Sequence, residues 1–510
     1  MTTLPRNLYR AAAVRELDRI AINEYGLTGL ELMEHAGQAA FSVVQQRWPQ
    51  ARRINILCGP GNNGGDGYVL ARLAAAAGMA VELVLVADAD RLTGAAAQAF
   101  AAMLEAGLVA QALSVPDLKA AAATAKFDVI VDALFGTGLD RDIDGDLAAM
   151  ITAVNASQTP VLSIDIPSGL HADSGRILGH AVQASATVSF IGLKQGLFTG
   201  QGPTCCGDLF FADLQVPLAA YSGVPVAARR IDYAGLISAD DNPLLPRLRS
   251  AHKGDFGHVL AVGGDSGMAG AVRMTAEAAA RVGAGLVSVA TRPEHASQIC
   301  AVRPELMVHG ISSAADLSLL LARATVIAVG PGLGQLDWGR DCLAQVLDML
   351  TTSMLPVVID ADGLNLLARE PWHYDHWILT PHPGEAARLL DETTAVIQAD
   401  RFAAAEAIQQ RYGGICILKG AGTVVQGADT VWVCSDGNPG MGSGGMGDVL
   451  TGVIAGLLAQ GLTLEMAATA AVCVHGHAAD IVAREGQRGM LAMDLLPVLR
   501  HLVNPPSELR

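Results

Sequence analysis

Positive charge is scarce in this chain: 34 lysines and arginines face 50 aspartates and glutamates, a net charge of −16 over 510 residues. Such a field repels polyanions and gives nucleic acid or an anionic membrane nothing to hold. Charged residues of both signs reach only 16%, against roughly 25% in an ordinary domain, so neither a disordered chain nor a coiled coil fits. Aromatic residues make up 4%, which leaves the cores to alanine, valine, leucine and isoleucine. No C-x-x-C pair occurs among the eight cysteines, and apart from Cys205 and Cys206 they are scattered singly. That pattern suits reduced thiols in a cytoplasmic protein better than a disulfide framework or a zinc site. The N-terminus mixes acids and bases, unlike a signal peptide. The strongest apolar run, Val449 to Leu464, contains glycine and glutamine and falls short of the roughly 20 residues a spanning helix needs, so no membrane association is expected.

Glycine, by contrast, is abundant, with 56 residues. Short Val/Ile/Leu runs alternate with alanine-rich stretches and end in Gly, Asp or Pro clusters, the rhythm of βα units around covered parallel sheets, so the expected class is α/β. The first half offers strands at Ile54 to Cys58, Val81 to Val86, Phe127 to Val131, Pro160 to Ile164 and Thr187 to Phe190. The rhythm restarts at His258 to Val262, Leu286 to Ala290, Val326 to Val329, Pro356 to Ile359, Trp377 to Leu379 and Ile415 to Leu418. Between them lies a stretch with Pro217, Pro225, Pro243 and Pro246. It places a domain boundary near residue 227, giving domains 1–226 and 227–510.

In a parallel sheet, chemistry collects in the loops that leave the carboxyl ends of strands. Three such loops stand out in the first half. CGPGNNGGDG, from Cys58, opens a helix and satisfies G-x-G-x-x-G through Gly59, Gly61 and Gly64. Read plainly, it is a dinucleotide turn with Asp88 as the ribose acid. Yet Asn62, Asn63 and Asp66 add polar side chains that a pyrophosphate loop would not need. DALFGTG, from Asp132, ends its strand in an acid, which is either a helix cap or a ligand. In SIDIPSG, from Ser163, Asp165 ends the strand, and Pro167 and Gly169 present Ser168. Together, Asn63, Asp132 and Ser168 offer oxygens to a monovalent ion and leave Asp165 as a carboxylate able to shuttle a proton.

The second half carries five loops of this kind: HKGDFGHVLAVGGDSGMAGA from His252, GPGLG from Gly330, DADGLN from Asp360, TPHPGE from Thr380 and KGAGT from Lys419. Most informative is DGNPGMGSGGMGDVL, where glycines empty into an apolar helix starting near Gly447. Unshielded amides there form an anion hole. Asp448 sits in the first turn beside it, either as a plain acid complementing the helix dipole or as the base that takes a hydroxyl proton during phosphoryl transfer.

GPGNNGGDG, DALFGTG and DIPSG, in this order over roughly residues 10 to 215, resemble the epimerase domain of NAD(P)H-hydrate repair enzymes. The resemblance implies a Rossmann-like three-layer domain with potassium held by Asn63, Asp132 and Ser168. It also implies that hydrated NADH or NADPH contacts Asn62, Asn63, Gly64, Gly65, Asp66, Gly136, Thr137, Gly138, Leu139, Asp140, Arg141, Asp142 and Asp165, the last as proton shuttle. HKGDFGHV, GPGLG, TPHPGE, KGAGT and NPGMGSGGMGDVL are similar to the ribokinase-like fold, and more closely to the ADP- or ATP-dependent NAD(P)H-hydrate dehydratase family. This second resemblance implies that Lys419, Gly420, Ala421, Gly422, Thr423 and Gly447 touch the nucleotide, while Ala271, Gly332, His382 and Asp448 touch the hydrate. His382, between two prolines, is equally readable as a turn histidine bonded to backbone. Magnesium is expected with the nucleotide, Glu385 being a candidate to hold it through water, and the fused arrangement implies ADP.

The expected activity is therefore repair of NADHX and NADPHX: interconversion of the R and S hydrates, then ADP-dependent dehydration of the S form. Apolar helix faces point to a homo-oligomer. Two other readings stay open: a kinase for a vitamin-precursor-like alcohol with a nucleotide-binding partner domain, and a first half that binds without catalysis.

Overall fold

The computed structural model describes residues 4–505 apart from 87, 113–115, 117–125, 240, 241 and 245. The chain divides into two compact units, Met1–Arg229 and Arg230–Arg510.

In the first unit the apolar runs become β2 (Arg53–Cys58), β3 (Ala80–Leu85), β5 (Val129–Ala133), β6 (Val161–Ile164) and β7 (Ala186–Phe190). Short strands β1 (Asn7–Tyr9), β4 (Ala110–Ala112), β8 (Leu193–Lys194) and β9 (Asp208–Ala212) were not anticipated. Seven strands form one sheet in the order β4-β3-β2-β5-β6-β7-β9, parallel throughout. Side chains alternate between two cores: Ile54, Ile56, Cys58, Val129, Val131 and Ala133 pack with helices on one face, Leu57 and Ile130 with Met150, Ile151 and Val154 on the other. These are the three layers of a Rossmann-like domain. The helix Gly29–Arg47 starts at a capping box, Glu31 N donating to Thr28 Oγ1 (3.1 Å) and Thr28 N to the Glu31 carboxylate (2.7 Å). Strand order reverses between β2 and β5, and their loops open a crevice there, where such sheets bind ligands.

Strand β10 (Ala228–Ile231) runs across the division. The second unit then builds β11 (His258–Val262), β12 (Leu286–Thr291), β13 (Met307–Gly310), β14 (Val326–Val329), β15 (Val357–Ile359), β16 (Trp377–Leu379), β17 (Ile415–Leu418), β18 (Thr423–Gln426) and β19 (Val431–Cys434). Their order is β13-β12-β11-β14-β15-β16-β17-β18-β19, parallel up to β17 and antiparallel over the last two pairings. The order reverses between β11 and β14, a second crevice.

The glycine run feeds the helix Met446–Ala459, which lies against the helix Ala269–Val282 at unusually short range. A Cβ at Gly452 would overlap the Thr275 carbonyl, and one at Gly456 the Val282 side chain. Thr275 Oγ1 ties the two helices by donating to Asp448 O (3.0 Å). The segment Leu464–Glu485, rather than the run ending at Leu464, is long and apolar enough to cross a membrane by length and composition. Its helix instead buries Ala467, Ala468, Ala471, Val474 and Ala478 in the core of this unit.

Candidate active sites

In the first unit the β2 loop turns into the helix Asn62–Ala76, with Gly61 as N-cap. Gly59 admits no side chain because a Cβ would overlap Leu134 O, and a Cβ on Gly64 would overlap Gly59 O. On Gly65 it would lie 2.5 Å from Met33 Sδ. Gly64 and Gly65 are thus places of close packing and do not line the cavity that opens above the crevice. That cavity, about 530 Å³, is lined by Asn62, Asn63, Asp66, Gly136, Thr137, Gly138, Leu139, Asp140, Arg141 and Asp165 of the expected residues. Asp142, Asp132, Ser168 and Asp88 are outside its lining.

Asp132 is fully buried and receives four hydrogen bonds, from Ser163 Oγ (2.8 Å), Ser168 N (2.9 Å), Ser168 Oγ (2.6 Å) and Leu134 N (3.3 Å). Burial pushes its carboxyl up, and these donors oppose the shift. Ser168 Oγ also accepts from Phe135 N (2.9 Å). The pair therefore clamps the β5 loop onto the β6 loop. Asn63 is different: it is buried, and neither its amide oxygen nor its nitrogen has a hydrogen-bond partner among the described residues. An orphan carbonyl oxygen of this kind fits a cation ligand.

Asp165 takes the left-handed conformation, φ 68°, held by its N donating to Val188 O (2.7 Å). Its carboxylate pairs with the fully buried Lys194 ammonium, which also donates to Ser189 Oγ (3.1 Å) and Phe190 O (3.2 Å). Sequence reasoning missed Lys194, because nothing about a single lysine between Leu193 and Gln195 marks it. Burial, then repulsion from Asp165 and Asp18, holds the Asp66 carboxyl well above the carboxylate range.

In the second unit, loops from four strands converge. Gly332 faces the helix that carries Ala271: a Cβ there would stand 3.2 Å from the Ala271 methyl. Lys419, at the end of β17, pairs with the buried Asp360 (2.7 Å) and stands 3.9 Å from Glu385. Thr451 Oγ1 completes Asp360 at 2.9 Å. Burial works against the Lys419 charge, but Asp360 and Glu385 outweigh it and raise its pKa. Gly447 sits against this pair, its place for a Cβ 3.1 Å from Lys419 Nζ. The first intrahelical bond is Val449 N to Gly445 O (3.0 Å), so helix geometry leaves the preceding amides for an anion. Asp448 stands among them, pushed up to about 7 by burial and then by Asp360 and Glu385, against the pull of Lys419.

The nucleotide loop from Lys419 to Thr423 rests on Arg401, also missed in the sequence. It is 1% exposed and donates to Leu418 O (3.0 Å) and Lys419 O (3.2 Å), while Thr423 Oγ1 closes the turn onto Gly420 O (3.1 Å). His382 caps the helix Pro383–Leu390, Nδ1 accepting from Gly384 N (2.9 Å). Burial, Lys419 and Arg388 lower its pKa, and its side chain is half-exposed, with Nε2 3.4 Å from Glu385 Oε1. Glu385 accepts from His382 N (2.8 Å) and stands 3.9 Å from the Lys419 ammonium. His475, a third omission, is buried near Lys419, held down to about 4 by burial, with Nε2 unpartnered among the described residues.

Over residues 259–500 the chain matches the family model described as NAD(P)H-hydrate dehydratase, and over residues 29–196 the one described as YjeF-related protein N-terminus. It is 48% identical over 501 residues to the bifunctional NAD(P)H-hydrate repair enzyme of Coxiella burnetii, covering 98% of this chain and 99% of that one. The protein of the same name from Escherichia coli is 44% identical over 507 residues, 99% of this chain and 95% of its own. A solved ribokinase-like superfamily protein from Enterococcus faecalis is 28% identical, covering 54% of this chain and 96% of its own, with a TM-score of 0.50. With both halves matched in order and nearly the whole length shared, the chain belongs to the family of bifunctional NAD(P)H-hydrate repair enzymes.

Proposed function

We propose that the first unit interconverts the R and S hydrates of NADH and NADPH and that the second dehydrates the S form with ADP, giving AMP and phosphate. The observation that carries the second half is Asp448, a carboxylate poised at about 7 at the mouth of a helix whose first amides await an anion. Ionised, it accepts the proton of the hydroxyl on carbon six of the hydrate, and the oxygen forms a bond to the terminal phosphorus while AMP leaves. The amides before Val449 and the Lys419 ammonium offset the negative charge on the transferring group. Phosphate then departs with the C6–O electrons, the ring-nitrogen lone pair forms C=N, and loss of a proton from the adjacent carbon restores the dihydronicotinamide.

Lys419, Gly420, Ala421, Gly422, Thr423 and Gly447 are our assignment for the nucleotide, and Ala271, Gly332, His382 and Asp448 for the hydrate. Magnesium would accompany the nucleotide phosphates, with Glu385 our candidate to hold it through water. In the first unit Asp165 is the proposed shuttle, with Asn62, Asn63, Asp66 and the Gly136 to Arg141 loop around the substrate. Potassium fits the orphan amide oxygen of Asn63, with Asp132 and Ser168 as further oxygens; bound, it would supply a fixed positive charge beside the substrate.

Incubating both epimers with ADP or ATP and following recovery of reduced-nicotinamide absorbance tests the reading. Full recovery with release of phosphate is expected. Accumulation of a phosphorylated compound would instead establish a kinase, and recovery stopping at the S fraction a first unit that does not catalyse.

A further inference from the structure

One wall of the first-unit cavity comes from no motif. The helix Ala11–Asn23 turns Val14, Arg15, Asp18 and Ile22 into it, positions that share one helical face. Asp18 makes no hydrogen bond or ion pair to another described residue, and Arg15, in the same lining, donates to Thr137 O (3.4 Å). Four carboxyl groups, Asp18, Asp66, Asp140 and Asp165, and two arginines, Arg15 and Arg141, line the cavity, and behind Asp165 the buried Lys194 ammonium pairs with its carboxylate. Burial first, then Asp165, raises Asp18 to about 6, with Lys194 opposing, so near neutrality it exists in both protonation states.

Inversion of carbon six by loss and return of its oxygen takes one oxygen from one ring face and brings another to the opposite face. A carboxyl on one wall serves one face. The loop after β6 brings Asp165, and the helix Ala11–Asn23 brings Asp18 from a separate element. We propose that Asp18 is the second acid–base residue of the epimerase site, handling the proton on one face of the ring while Asp165 handles it on the other; this rests on the epimerase reading above. Protonated Asp18 gives its proton to the C6 hydroxyl, and the C–O bond breaks with its electrons on the departing water. The ring-nitrogen lone pair forms a planar C=N cation. Water adds from the opposite face, its oxygen bonding to C6 and its proton passing to the Asp165 carboxylate, and the C=N electrons return to nitrogen. The reverse direction exchanges the two roles.

The test uses the full chain with ADP and the purified R epimer, whose consumption requires epimerisation first. Wild-type chain consuming it no faster than the uncatalysed rate would refute the epimerase reading itself, before any variant is considered. Given wild-type activity, Asp18→Asn lowers kcat for R-epimer consumption by about 100-fold or more, with KM within about threefold, while S-epimer dehydration is unchanged. A kcat within about threefold of wild type, or a loss carried wholly by KM, overturns the assignment. Should Asp18→Asn not fold, Asp18→Glu decides: displacing the carboxyl by one methylene lowers kcat about tenfold at constant KM if Asp18 transfers the proton, and a kcat within about twofold of wild type overturns it.

Discussion

Replacing Asp448 by Asn separates the two readings of that acid by the sign of a stability change. A carboxylate that merely complements a helix dipole stabilises, and its loss costs about 0.3–1 kcal/mol. Asp448 is instead held at about 7 in the folded chain against an ordinary 3.8, burial being the chief cause. A raised carboxyl pKa means that folding loses stability as pH rises above 3.8, the penalty being fully developed above about 7. At neutral pH the penalty is up to ~4 kcal/mol, and allowing for solvent around a half-buried group, ~2 kcal/mol is a fair expectation. Asp448→Asn therefore raises the unfolding temperature of the second unit by several degrees at pH 7.5, with the gain vanishing towards pH 4. Activity moves the other way: without its base, kcat for dehydration falls ~100- to 10,000-fold. In the wild type the ionised fraction of Asp448 climbs from ~10% at pH 6 to ~90% at pH 8, so kcat/KM rises roughly ninefold over that interval. Calorimetry and pH-dependent turnover with purified S epimer check both limbs. A variant that unfolds at lower temperature, or keeps more than about a tenth of wild-type kcat, would refute the reasoning.

Other expectations are simpler. Asp165→Asn abolishes R-to-S interconversion above the uncatalysed rate and leaves ADP-dependent use of the S epimer intact, seen by chromatography of the two epimers. Ser168→Ala strands Phe135 N and strips a donor from Asp132, costing about 2 kcal/mol in denaturant unfolding. If Ser168 is a cation ligand, the variant also needs more potassium for half-maximal epimerisation. Gly64→Ala, forced against the Gly59 carbonyl, destabilises the first unit by several kcal/mol, although Gly64 lies outside the cavity lining; native-like stability would show that the loop can yield.

Much of the architecture was legible because it rests on period and punctuation. The β11, β14, β16 and β17 limits read from apolar runs coincide with the observed strands. Strands such as Ala110–Ala112 and Met307–Gly310, mostly exposed edges, lack the buried Val/Ile signal and passed unnoticed. Motif loops announced Asn63, Asp165 and Asp448, since glycine, proline and acid at a strand end are visible locally. Lys194, Asp18, Arg401 and His475 were not, because their importance arises from burial and from neighbours far along the chain. The same loops carry packing demands that the sequence does not show: a Cβ on Gly64 would meet the Gly59 carbonyl, and one on Gly65 the Met33 side chain.

The contact between the helices Met446–Ala459 and Ala269–Val282 has a further consequence. Gly452 and Gly456 set how deeply the first helix seats, and the helix carries Asp448 at its tip like a rod held by its shank. A methyl group at either position would lever that tip outward, although neither glycine stands in the first turn beside Asp448. In a saturation scan these two positions should score as intolerant as Asp448 itself, and a map drawn from such scores alone would trace a false second centre one and two turns down the helix.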